Sequence, residues 1–171
     1  VGGQIYRTNP GSGNAHLARF TFQASSTGMM WVVDRIWQNS GLSVTSTSAQ
    51  SLTSTALTNR DRNGSNLGHG IWPAIEWSAT GGAGAPTVTL SYTNQDGTSG
   101  RSATLTGLAS PPVGTIELFD LQAGDTGVRS IQSYTASATR TSGTFHLILF
   151  RVLAICEIGA ANMASSIDAV T

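Results

Sequence analysis

Apolar and polar residues alternate in short runs along most of this chain, and the runs are separated by turns rich in Gly, Asn, Asp and Pro. Leu17–Gln23 sets Ala18, Phe20 and Phe22 against Arg19, Thr21 and Gln23, the period-two pattern of a half-buried strand. Met29–Trp37 is a denser block that its Val pair and the preceding Gly28 mark as strand. In a strand Asp34 and Arg35 point to opposite faces, so one of them needs a partner or a sheet edge. In Ile71–Ser78 the set Ile71, Pro73, Ile75 and Trp77 opposes Trp72, Ala74, Glu76 and Ser78. Pro73 lacks a ladder donor and predicts an edge position or a bulge. Val88, Leu90 and Tyr92 are followed by NQDGTSG and then Ala103 and Leu105, which predicts a hairpin with Gly97 and Gly100 at positive φ. Thr115–Leu121 predicts a strand with Ile116 and Leu118 inward and Glu117 outward. The longest apolar run, Phe145–Ile155, is broken only by His146 and Arg151. It predicts a central strand buried on both faces, forming a hairpin with Ile131–Ala136.

Two Ser/Thr-rich pieces, Leu42–Thr47 and Gln50–Thr58, add strands of high β propensity. The total is about eight to ten short strands with no helical periodicity, which predicts an all-β fold: an antiparallel β-sandwich, jelly-roll-like. Residues 1–15, with GGQ and TNPGSGN, read as an extended N-terminal arm with a short strand at Gln4–Arg7. Residues 16–159 then form the sandwich, and residues 160–171 a C-terminal tail, short helix or linker.

Composition changes this picture in one respect. Only 11% of the residues are charged, nine Arg balance nine acidic residues, and Ser and Thr supply about a quarter of the chain. Near-neutral surfaces associate, so the balance points to a homo-oligomer in a symmetric assembly. The absence of Lys and of any basic run excludes a nucleic-acid footprint. No stretch has the apolar length of a membrane helix, and no basic-then-apolar leader is present. The single cysteine, Cys156, lies beside Ile155 and reads as a buried thiol.

Candidate chemistry is thin. Asn59, Asp61 and Asn63 followed by Gly64 imitate the first half of a calcium loop, but the twelfth position is Gly70, not Glu, and Arg60 and Arg62 repel a cation. A tight polar loop is the better account. No Gly-x-Ser-x-Gly elbow accompanies His16, His69 or His146; His146 reads as a hydrogen-bonded sheet histidine, and His69 as a loop residue. Glu76 beside Trp77 has the look of a glycan-site acid, although a solvent-facing Glu with Trp in the core explains it as well. Asp120, Asp125 and Arg129 bracket the turn Gln122–Val128, where an Asp125–Arg129 ion pair would fix the loop. No catalytic, cofactor or metal residue is expected, and the chain is expected not to be an enzyme.

The segments WVVDRIWQNSGLSVTSTSAQS, NRDRNGSNLGHG, SYTNQDGTSGRSATL and LQAGDTGVRSIQS, with GTFHLILFRVLA, resemble virion structural proteins of tailed bacteriophages. The resemblance spans roughly residues 31 to 170 and is most specific at SYTNQDGTSGRSATL and LQAGDTGVRS. It implies a place in the virion with other virion proteins as partners: a capsid-bound decoration or cement protein, or else a tail, neck or fibre component. It carries no catalytic residues, and it implies that related chains continue past Thr171. From another class, a carbohydrate-binding module would use Trp72, Trp77 or Tyr92 as its stacking platform. If one segment touches a neighbour, the loop Gln122–Ser130 is the first expected to do so.

Overall fold

The structure, a computed structural model, describes residues 19–54, 57 and 59–168. The expected N-terminal arm and His16 lie outside the described residues. Ten strands are present: β1 (Arg19–Gln23), β2 (Gly28–Asn39), β3 (Gln50–Ser51), β4 (Ile71–Ala79), β5 (Thr87–Asn94), β6 (Arg101–Thr106), β7 (Ile116–Leu118), β8 (Val128–Ala136), β9 (Thr144–Ile158) and β10 (Ala164–Asp168). The fold is an all-β antiparallel sandwich, as the alternation predicts. No helix occurs among the described residues.

One sheet runs β2-β9-β4-β7 and the other β3-β8-β5-β6. In the order of neighbours, β5 lies beside β6, β4 beside β7, β3 beside β8 and β2 beside β9, so the pairs nest within one another along the chain. The inner faces of the two sheets supply one core. Ile71, Ile75, Trp77, Phe145, Leu147 and Leu149 come from the first sheet; Val88, Leu90, Tyr92, Leu105, Ile131 and Tyr134 come from the second. Phe145 ties them together, with ring centroids 5.5 Å from both Trp77 and Tyr134. Each large apolar side chain buried here contributes about 1.5–3 kcal/mol of transfer free energy.

The chain divides into two compact units, residues 34–151 and residues 1–33 with 152–171, and β2 and β9 contribute residues to both. In the smaller unit β1 pairs antiparallel with β10, from Arg19↔Asp168 to Gln23↔Ala164. Residues 164–168 are therefore a strand, where the sequence suggests a tail, short helix or linker. Small residues with Ile at period two pair well enough once a partner strand is supplied from the other end of the chain.

Three further expectations change. Ile131–Ala136 and Phe145–Ile155 do not form a hairpin, because β8 and β9 lie in different sheets. The turn region Ser137–Gly143 crosses the sandwich instead. Leu42–Thr47 is a turn, and only Gln50–Ser51 of the next Ser/Thr-rich piece is strand, since polar β-formers with nothing apolar to bury gain little from a sheet. Pro73 is interior to its sheet, and the register irregularity of β4 falls at Trp77/Ala79. The Pro73 carbonyl accepts from Phe119 N–H at 3.2 Å, so its backbone polar groups face β7 and not β9. The missing donor then coincides with the end of β7, a three-residue strand. The β5–β6 hairpin is as expected, with Gly97 at φ 80° and Gly100 at φ 71°.

Candidate functional site

Two loops singled out by their polarity meet at one end of the larger unit. In the loop 59–70, Asp61 is fully buried. Its carboxylate accepts from the backbone N–H groups of Asn63, Ser65, Gly68 and His69 at 2.6–3.1 Å and from the Ser65 hydroxyl at 2.5 Å. Burial pushes its pKa up, and the hydrogen bonds from Ser65, His69 and Asn63 outweigh that and hold it below the usual carboxylate range. The oxygens that resembled the start of a calcium loop are thus spent on the loop's own donors. Among the described residues no group of three or more His, Cys, Asp or Glu side chains is placed to hold a metal ion.

The second loop, residues 122–128, is fixed by Asp125, whose side chain is 2% exposed. The expected pairing with Arg129 gives way to a different one: Arg101 binds Asp125 through Nε at 2.8 Å and through a second guanidinium nitrogen at 2.9 Å. The Asn94 amide donates at 2.7 Å, and the Tyr92 hydroxyl also donates to the carboxylate. Arg101 opens β6, the strand paired with β5, and the register Tyr92↔Arg101 brings both side chains to one place. A fork of this kind is what guanidinium offers to carboxylate. It holds Asp125 down at about 2, with burial opposing and Tyr92 and Asn94 assisting. Burial, reinforced by the Asp125 hydrogen bond, pushes Tyr92 up to about 12.

The two loops lock backbone to backbone. His69 bridges Gly127, and Gly70 N–H donates to Thr126 C=O at 3.0 Å. A Cβ at Gly68 would lie 2.3 Å from the Val128 carbonyl oxygen, and Gly68 adopts φ 89°. Glycine is required there on both counts.

A charge cluster lies along the sheet. Asp34 on β2 pairs with Arg60 and, at 3.3 Å, with Arg151 on β9, while Arg35 pairs with Glu76 on β4. Both charges of β2 are therefore partnered, and β2 is an edge strand besides. His146 hydrogen-bonds to the Ser40 hydroxyl at 2.7 Å, the sheet role expected of it. Arg140, in the turn after β8, donates to the carbonyls of Gly82, Gly84 and Leu108 and stacks 5.0 Å over Trp77. It clamps the glycine-rich connector Thr80–Pro86, and the sequence gave no signal for it. Cys156 is buried, as expected.

The largest reversal is in β7. Glu117 is 6% exposed and turned inward, accepting from Leu108 N–H at 3.1 Å, while Ile116 and Leu118 are 52% and 45% exposed. The parity of β7 is imposed by its register on β4, Ala74↔Leu118 and Glu76↔Ile116, which places its apolar residues on the outer face of the sheet. Trp72, 38% exposed, lies on the same face. Trp77 and Tyr92 are buried in the core, so the three-residue stacking platform reduces to Trp72 alone. The chain was compared with protein-family models, with curated proteins and with solved structures, and it matches none of them.

Proposed function

We propose that this protein is a structural subunit of a tailed-phage virion, a decoration or cement protein bound to the capsid exterior. The observation that carries the reading is the inverted strand β7. A fold that buries a glutamate in order to present Ile116 and Leu118 beside Trp72 is spending stability on a surface. Such local departures from the inward-apolar rule mark functional surfaces, and here the chemistry of the surface suits docking.

Three features support it. The nested strand pairing, with sheets β2-β9-β4-β7 and β3-β8-β5-β6, is the connectivity of a jelly roll, an architecture common among capsid domains. The zero net charge suits a subunit held among neighbours by many weak, repeated contacts. The buried carboxylates Asp61 and Asp125 act on the protein's own loops, giving a rigid end fit for presentation.

Imaging of purified particles tests the assignment through copy number and position. Hundreds of copies on the head lattice is the expected result. A few copies at the tail or neck would move the protein to a tail component, and absence from particles would overturn the virion reading altogether.

A further inference from the structure

On the face of the β2-β9-β4-β7 sheet turned away from the core, register places the side chains in rows. Phe150 stands beside Trp72; Ile148, Ala74 and Leu118 form the next row; His146, Glu76 and Ile116 form the third. Phe150, Ile148 and Ala74 are buried yet stand apart from the core cluster, so they make an apolar floor on the outer face. Trp72, Leu118 and Ile116 rise at its border and remain exposed. The arrangement is held from beneath: Glu117 receives the Leu108 N–H on the inner side, and Phe119 N–H donates to Pro73 on the other strand. Fraying of the strand does not account for the exposure of Ile116 and Leu118.

We infer that this face is the contact surface for a second copy of the same chain. The charges decide between occupants. The two charged strand residues on this face, Arg35 and Glu76, are bonded to each other, so the face offers no net field to an acidic or a basic partner. What complements an apolar surface edged by one compensated pair is another surface of that kind, and every copy carries one. A two-fold contact uses the same patch from both subunits, which is the commonest way soluble chains associate. The edge position of the three-residue β7 leaves room for such an approach, since no further strand lies beyond it in its sheet. This inference deepens the virion reading by naming the surface through which copies touch.

Sedimentation velocity on the full chain, from about 1 µM to about 0.3 mM, provides the test, because side-chain patches of this size give micromolar contacts. The expected result is a concentration-dependent dimer that is lost in Ile116→Asp and in Leu118→Asp and retained in Leu67→Asp, an exposed apolar control in the loop 59–70. Both β7 positions are exposed, and unchanged circular dichroism and melting would show that the variants still fold. A wild-type chain that stays monomeric throughout overturns the inference, as does a dimer that survives both β7 substitutions. A monomer that nevertheless sits on particles would remove the second-copy contact and leave the virion reading intact; a dimer absent from particles would do the reverse.

Discussion

Asp125 shows how much one carboxylate does when four groups converge on it. Removing it strands the Arg101 fork and frees the Tyr92 hydroxyl and the Asn94 amide together. Asp125→Ala is expected to cost about 3 kcal/mol, the range for breaking a largely buried pair, read as a lower urea midpoint at constant slope. Arg129→Ala, on an exposed side chain, should stay within about 0.5 kcal/mol. The same network sets the pH limits. Asp125 titrates at about 2 when folded and near its ordinary value of 3.8 when unfolded. Between those values the unfolded chain binds more protons, so stability is lost as pH falls from about 4 to about 2. Tyr92 and Tyr134 are both pushed up to about 12 from 10, chiefly by burial. Their contribution is complete below pH 10 and disappears as pH rises toward 12. Melting temperature measured across pH should show both limbs, and Asp125→Asn should flatten the acid one.

Elements differ in how far they could be foreseen, and the reason is physical. Strand β4 was legible because Ile71, Ile75 and Trp77 face one large core and a one-residue slip would expose them all. The β5–β6 hairpin was legible because its turn chemistry is local, in Gly97 and Gly100. Strand β7 was misread because three residues carry too little apolar area to set their own parity, so the register on β4 and the Leu108 N–H set it instead. The partner of Asp125 was misread for a related cause: sequence proximity favoured Arg129, while strand pairing delivered Arg101 from 24 residues away. The two locked loops were each visible as polar turns, but their contact depends on Gly68 meeting Val128, which no local pattern reports. Gly68→Ala should therefore destabilise by more than the ordinary helix or strand cost of about 1 kcal/mol, through both the clash and the positive φ. Hydrogen exchange should show lost protection at Gly70 N–H, which bonds to Thr126 across the joint. Unchanged protection there would mean that the loops do not depend on each other.

Across the whole molecule, composition foretold a surface made for company, and the fold shows where such a surface lies in the larger unit. The charges are few and nearly all engaged: Asp34 with Arg60 and Arg151, Arg35 with Glu76, Asp125 with Arg101. Their work is internal bracing, which leaves contact with neighbours to Ser, Thr and apolar groups. The nested order of the strands has one more consequence, for the time at which the protein becomes itself. The innermost pair, β5 with β6, is joined by a short turn, while β9 takes its place between β2 and β4 from more than a hundred residues beyond β2. Closing such distant contacts is entropically slow, and it comes late as the chain leaves the ribosome. Until residues 144–158 emerge, β2 and β4 are two open edges with no strand between them, inviting the wrong partner. The apolar run that completes the sheet is thus also the last long strand of the larger unit to be made.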